Sequence, residues 1–280
     1  MITVMGATGR VGRQVVAALV GEEVRAIGRS ADRLAALDAT PCPGDAADPA
    51  FLTAAFRGTD AAFVMLPVDA HEPDQRGAQE AKADAVAAAV RDAGVPHVVA
   101  LSSLGADVTS GTGFIDGLRV LEERLAATGA RVLLLRPGWF LENAAEALPV
   151  VEELGCLADS LDPELPVPMV ATRDVAAAAA RALRARDRTG VVELLGPRDL
   201  TQVEVAAVLG AALGRPGLPY VRLADEEMAH ALVGAGFSPD AAARHLGMTR
   251  ALNEGRISAR RTAESTTPTG IEDLVGEWVA

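Results

Sequence analysis

The sequence predicts a doubly wound α/β protein, a parallel sheet with helices on both faces and a smaller mixed lobe behind it. Three observations predict it. A short apolar run, Ile2–Met5, leads straight into Gly6-x-x-Gly9-x-x-Gly12 and a helical pattern. The first half of the 280-residue chain alternates such runs with longer Ala-, Leu- and Val-rich amphipathic stretches. That rhythm implies right-handed crossovers between parallel strands. After Arg136-Pro137-Gly138 the rhythm breaks and helices outnumber strands. Residues 1–137 are therefore expected to form the sheet domain and residues 138–280 the smaller lobe, with the chain crossing between them.

Strands are expected at Ile2–Met5, Val24–Ile27, Ala39–Pro41, Ala61–Leu66, Val98–Leu101 and Val132–Leu135. Several lack polar alternation, which suits strands buried on both faces. Helices are expected between them at Arg10–Val20, Ala31–Leu37, Pro49–Phe56, Gln75–Ala93 and Ile115–Ala127. In the second half helices are expected over Trp139–Leu154, Thr172–Ala185, Gln202–Leu213, Glu226–Gly234 and Asp240–Leu252. Pro166–Val170, Val191–Leu194 and Pro219–Leu223 read as separate strands. Thr201, with Glu204 three residues on, forms a capping box. Arg260–Gly270, rich in Thr and Ser, reads as a surface loop.

The glycines carry the first chemical reading. Gly6 lets the chain turn sharply after the strand, Gly9 lets the backbone approach a phosphate, and Gly12 lets the helix pack close to the sheet. The free N–H groups of the first helical turn and the positive end of the helix dipole then face an anion. Strand, glycine triplet and helix in this order are the context of a dinucleotide pyrophosphate site in a Rossmann-type sheet. Gly6, Thr8, Gly9, Arg10, Val11 and Gly12 are its expected contacts.

The second strand ends Ala26-Ile27-Gly28-Arg29-Ser30, without the carboxylate that reads a ribose 2′-hydroxyl. A guanidinium at Arg29 beside a hydroxyl at Ser30, with Arg33 one turn on, suits a 2′-phosphate. The expected cofactor is therefore NADP(H). Asp32 reads as a dipole partner of the next helix. Asp45, after the third strand, is placed to accept from the adenine amino group or to cap a turn. Leu66-Pro67 ends the fourth strand, where backbone and apolar side chains flank the cofactor's ribose.

Composition excludes several classes. A formal net charge of -12 argues against binding along a nucleic-acid backbone. No apolar run approaches the roughly 18 residues that span a bilayer. Met1 opens directly on the first strand, which leaves no room for a signal peptide. Cys42 and Cys156 have no metal-ligand spacing and read as buried or free thiols of a cytoplasmic protein, so no metal is expected.

Gly6-Ala7-Thr8-Gly9-Arg10-Val11-Gly12, Ile27-Gly28-Arg29-Ser30, Ala93-Gly94-Val95-Pro96-His97-Val98-Val99, Ser102-Ser103-Leu104-Gly105-Ala106 and Leu135-Arg136-Pro137-Gly138-Trp139-Phe140-Leu141-Glu142-Asn143 follow one another in order. With the tail Thr267-Pro268-Thr269-Gly270-Ile271-Glu272-Asp273-Leu274 they resemble the NmrA-like branch of the atypical short-chain dehydrogenases. The resemblance covers most of the chain. It implies the Rossmann fold and NADP(H). For activity it implies an NADPH-dependent quinone or azo-type reductase, a tailoring reductase, or an NADP sensor that catalyses nothing.

Most short-chain dehydrogenases protonate a carbonyl with a tyrosine backed by a lysine four residues later. On the helix expected after Ser102-Ser103, if Phe114 stands at the tyrosine's place then Leu118 stands at the lysine's. The chain's single tyrosine, Tyr220, and single lysine, Lys82, lie far from that spacing. The usual pair cannot form. A quinone or other conjugated acceptor can still take a hydride where solvent or a weaker donor supplies the proton. Ser102 and Ser103, at the carboxyl end of the fifth strand, are the best-placed donors, although hydroxyls there also cap loops. Asp116 and His71 are further candidates. His71 reads as a solvated loop histidine, His97 lies at the wrong edge, and Lys82 could reach the cofactor but is expected to snorkel to solvent. Trp139 and Phe140 are expected either to wall the nicotinamide or a flat substrate, with Phe114 beside them, or to pack in the core, and Asn143 either to offer its amide to a substrate oxygen or to bond the helix backbone.

The primary reading is a reductase of a quinone-like or conjugated carbonyl small molecule in the cleft between lobes. An NADP sensor with a protein partner and a non-redox tailoring enzyme stay open, as does a homodimer.

Overall fold

The computed structural model describes residues 1–279. The first half runs β1 (Ile2–Met5), α1 (Arg10–Ala18), β2 (Val24–Gly28), α2 (Ala31–Ala35), β3 (Thr40–Pro43), α3 (Pro49–Phe56), β4 (Ala61–Val64), α4 (Gln75–Ala93), β5 (His97–Leu101), α5 (Ile115–Ala126) and β6 (Arg131–Pro137). The second half runs β7 (Trp139–Phe140), α6 (Asn143–Glu146), α7 (Leu148–Leu154), β8 (Leu157–Asp159), β9 (Val167–Val170), α8 (Thr172–Ala185), β10 (Gly190–Leu194), β11 (Asp199–Leu200), α9 (Gln202–Ala212), β12 (Tyr220–Arg222), α10 (Asp225–Gly234), α11 (Pro239–Asn253) and α12 (Glu272–Val279).

Seven strands form one sheet in the order β10-β6-β5-β4-β1-β2-β3, and every neighbouring pair is parallel. This is the expected Rossmann-like α/β fold. Strand order reverses between β1 and β4, and in open parallel sheets the crevice at that switch point takes the ligand. One face is covered by α1 and α8, with Val15, Val16, Val175 and Leu183 buried against the sheet. The other is covered by α3, α4 and α5, through Leu52, Phe56, Val86, Val90 and Leu121.

The best-bounded helices carry their own stop signals. Asp48 caps α3, accepting from Ala50 N at 2.9 Å and Phe51 N at 3.1 Å, and Pro49 opens the first turn. Gly94 ends α4 in the left-handed region at φ 67°. Thr201 and Glu204 form the expected capping box of α9.

The stretch Trp139–Leu154 is not one helix. Trp139 and Phe140 pair in parallel with Met169 and Val170, so the aromatic pair is a strand. Pro149, which has no N–H to give, sits in the first turn of α7 and separates it from α6. The short β8 and β11 have no sequence-local signal, since their partners β12 and β9 lie far along the chain.

Residues 172–194 return to the large sheet. β10 pairs with β6, and α8 lies beside α1. A boundary drawn at residue 137 therefore leaves one sheet strand and one covering helix on its far side. The remaining segment builds two small sheets and its own core, around Leu141, Val151, Leu157, Leu209 and Leu274. Among the described residues no helix is long and apolar enough to cross a membrane.

Candidate active site

Two adjoining cavities open at the carboxyl edge of the sheet. The first, about 530 Å³, lies over the glycine turn. Gly6 turns the chain at φ 68°, where a Cβ would come within 2.7 Å of Met65 Sδ. A Cβ on Gly12 would overlap the Gly6 carbonyl oxygen. Gly9 is the N-cap of α1 and gives it no side-chain cap, so the first-turn N–H groups stay available to an anion.

Of the residues expected at this end, Gly6, Thr8, Gly9, Arg29, Asp45 and Pro67 line the cavity. Val11 and Gly12 lie behind it, buried against the sheet. Ser30 is turned away and caps α2, its Oγ accepting from Arg33 N at 3.3 Å. Leu66 lines the second cavity instead. Arg33 joins the first cavity wall and donates to Thr8 O at 2.7 Å. Arg29 reaches across to Asp69 at 3.4 Å. Asp45 Oδ1 accepts from Ala47 N at 2.9 Å, a local turn bond. Lys82 does not run out to solvent. It is half-buried in the cavity wall and donates to Pro67 O at 3.0 Å, because the loop after β4 folds back over α4.

The second cavity, about 270 Å³, meets the first at Met65 and Val68. Ser102, Ser103, Phe114, Trp139, Phe140 and Asn143 all line it. Sequence reasoning missed its roof, Met248 and Leu252 of α11 with the following Ile257. These residues sit more than 100 positions from β5 and carry no motif.

The two serines differ. Ser102 is buried and donates to Glu122 Oε1 at 2.5 Å. Glu122 in turn takes Arg136 through two bonds, of 2.9 and 2.6 Å. That bidentate hydrogen bonding holds the Arg136 guanidinium above its ordinary pKa. Ser102 thus gives its proton away from the cavity. Ser103 lines the cavity with its hydroxyl uncommitted to any side chain or backbone group among the described residues. Asn143 Oδ1 accepts from Arg10 Nη1 at 3.0 Å, which leaves its amide N–H groups free to donate. Arg10 also pairs with Glu146, and burial lowers its pKa below the ordinary value. An expected phosphate-loop residue therefore orients an expected substrate residue.

The other donors lie elsewhere. Asp116 accepts from Thr112 N and Oγ1 at 3.1 and 2.8 Å and braces a loop. His71 Nδ1 lies 2.7 Å from Gly236 O, tying the loop after β4 to the turn between α10 and α11. His97 is buried at the opposite edge of the sheet. Tyr220 donates its hydroxyl towards Leu161 O at 2.8 Å and Asp159 O at 3.1 Å, and burial raises its phenol above the ordinary pKa. Tyr220→Phe is expected to cost about 1 kcal/mol of stability, one neutral hydrogen bond, with kcat unchanged within about threefold. Thermal unfolding and initial rates check both halves.

Residues 6–186 match the NAD(P)H-binding family. The chain belongs to that family. An NAD(P)H azoreductase of Xenophilus azovorans is 31% identical over 242 residues, 84% of this chain and 82% of that protein. The NADPH-dependent quinone oxidoreductase of Escherichia coli, solved with NADPH, superposes with a TM-score of 0.81 at 28% identity, covering 99% of both chains. NmrA, a negative transcriptional regulator solved with NADP, gives a TM-score of 0.72 over 99% of this chain and 90% of that one. At 18% identity it speaks for the fold alone.

Proposed function

We propose that this chain is an NADPH-dependent reductase of quinone-like, conjugated acceptors. The observation that carries the reading is the junction of the two cavities, a glycine cradle for a dinucleotide opening at Met65 and Val68 into an apolar, aromatic-walled chamber. The first-turn N–H groups after Gly9 hold the diphosphate. Arg29 and Arg33 hold the 2′-phosphate, and Asp45, Pro67 and Lys82 flank the rest. NADPH, when bound, supplies the hydride.

The protein's own share is modest. Trp139, Phe140 and Phe114 exclude water and orient a flat ring. Asn143 N–H and the Ser103 hydroxyl donate to the acceptor's oxygen. Neither is a strong acid, and that selects the reaction. A simple ketone would leave an alkoxide about as basic as hydroxide. A quinone leaves a far less basic, phenolate-like oxyanion, whose conjugate acid has a pKa of about 10, which two neutral donors and water suffice to meet. NADPH oxidation against a panel of quinones and aliphatic ketones tests this. Turnover of quinones alone is expected. Tight NADPH binding with no acceptor consumed would move the reading to a sensor.

Ser103→Ala is expected to lower kcat by about 10-fold, the worth of one good neutral hydrogen bond. No change in kcat would remove Ser103 from the mechanism. Arg29→Ala is expected to weaken NADPH by about 1.5–3 kcal/mol, the worth of a charge-assisted bond, and NADH hardly at all. Equal losses for both cofactors in a titration would take the 2′-phosphate away from Arg29. Cys42 and Cys156 are both free, which fits a reducing compartment, and we place the protein in the cytoplasm.

A further inference from the structure

We infer that Ser238 and Asp240 are positioning residues. They clamp the helix that roofs the acceptor chamber to the loop that lines the cofactor cavity, so that dinucleotide and acceptor bind cooperatively. The inference rests on the reductase reading for the identity of the two cavities and adds how one is coupled to the other. Pro67, Val68, Asp69 and Glu72, in the loop after β4, line the first cavity. The same loop is tied to the start of α11. Ser238 N donates to Ala70 O at 2.8 Å, and Ser238 Oγ donates to Glu72 O at 2.6 Å. That hydroxyl also accepts from Ala241 N at 3.0 Å, as the N-cap of α11. Asp240 Oδ2 accepts from Gln75 N, the first N–H of α4, at 2.8 Å. A carboxylate is favourable at such a helix start. The Gln75 side chain is buried and donates back to Asp69 O. The contact of His71 with Gly236 O completes the clamp.

From the clamp α11 runs over the second cavity, where Met248 and Leu252 form the roof. Its far end is fixed separately. Thr249 Oγ1 lies 2.7 Å from Ser160 Oγ, and Asn253 Nδ2 donates to Ser160 O at 3.0 Å. Midway, α11 lies backbone to backbone on the turn before α5. A Cβ on Gly113 would overlap Arg244 O, and one on Gly247 would come within 3.1 Å of Gly113 Cα. That turn leads into Phe114 and Ile115 of the chamber wall. A dinucleotide packed against Pro67, Val68 and Asp69 fixes the loop. The clamp passes that restraint to α11, which sets the roof for the acceptor. Coupling of this kind is reciprocal and typically changes an affinity by about 5- to 150-fold.

The test measures the affinity of phenanthrenequinone for the full chain with and without saturating NADP⁺. Binding is read by quenching of tryptophan fluorescence, since Trp139 is in the chamber wall. In the wild type NADP⁺ is expected to tighten quinone binding about 10-fold. Ser238→Asp keeps an acceptor to cap α11 but has no proton to give to Glu72 O. It is expected to hold its Tm within about 2 °C and to show a coupling below about threefold, with the quinone affinity of the cofactor-free chain unchanged. Ser238→Thr restores the hydroxyl and is expected to restore the coupling. Asp240→Ala removes the neighbouring bond and is expected to lower the coupling about threefold, and it carries the test where Ser238→Asp does not fold. Full coupling in either folded variant would overturn the inference, because the coupling would then come from direct contact between quinone and nicotinamide. Equal quinone affinity with and without NADP⁺ in the wild type would overturn it too. Coupling that is lost in the variants, in a protein that oxidises NADPH with no acceptor, would leave the clamp standing and remove the reductase reading. Quinone turnover without coupling would do the reverse.

Discussion

Gly9→Asp is expected to abolish NADPH binding and leave the fold standing. Gly9 is exposed and extended, at φ -82° and ψ 175°, and a Cβ there would meet only Gly6 O, at 3.2 Å. The backbone accepts a side chain at this place. Aspartate is also a good N-cap, so its carboxylate would take the open N–H groups of α1 and hold or slightly raise stability. Those are the donors the diphosphate needs. A carboxylate about 4 Å from a phosphate costs about 4 kcal/mol at an effective dielectric of 20. A drop in affinity of roughly 1000-fold is expected, with an unchanged Tm. Titration of NADPH fluorescence measures the first and thermal unfolding the second. Wild-type affinity in this variant would remove the pyrophosphate site from the glycine turn. Gly12→Ala is the structural contrast. Its Cβ would strike the Gly6 carbonyl and come within 3.0 Å of Ala7 Cα, so α1 must shift and stability falls together with binding.

Glu122→Ala is expected to be the most destabilising single change near the site. The Glu122 and Arg136 side chains are only 10% and 14% exposed, and removing one partner leaves the other charge buried. Such losses cost about 3–5 kcal/mol. Asp107 lies 3.4 Å from Arg136 on the solvent side and recovers part of the pairing, which sets the expectation near 3 kcal/mol. For a chain of this size that is a fall of roughly 6–12 °C in Tm. Glu122→Gln keeps a hydrogen-bond acceptor for Ser102 and Arg136 and is expected to fall less. A Tm within a degree or two of the wild type for Glu122→Ala would show that the pair is not structural.

Much of this was legible in residue order. The alternation of apolar runs with amphipathic stretches predicted the parallel sheet. α3, α4 and α8 fall on their expected bounds, two of them because Asp48, Pro49 and Gly94 punctuate the chain locally. Gly6 and Gly12 announced the turn, since only glycine satisfies the positive φ at the first and the close backbone approach at the second, while Gly9 keeps the mouth of the turn free of a side chain. The single tyrosine, Tyr220, and single lysine, Lys82, far from four-residue spacing, showed that the usual proton-donating pair cannot form.

Other features depend on partners distant in sequence. Trp139 and Phe140 sit in an amphipathic stretch, but pairing with β9 makes them a strand. Lys82 looks like a surface lysine until the loop after β4 brings Pro67 O to it. Ser102 and Ser103 are equivalent as letters. Their roles separate because Glu122, 20 residues on, takes one hydroxyl and leaves the other. By itself, then, the sequence determined the fold class, the glycine turn at the sheet's carboxyl edge and the missing dyad, all of which rest on local backbone geometry and spacing. Tertiary structure alone decided which polar groups line the second cavity and that α11 roofs it. Burial and hydrogen-bond pairing between remote segments set those properties, and no local pattern encodes them.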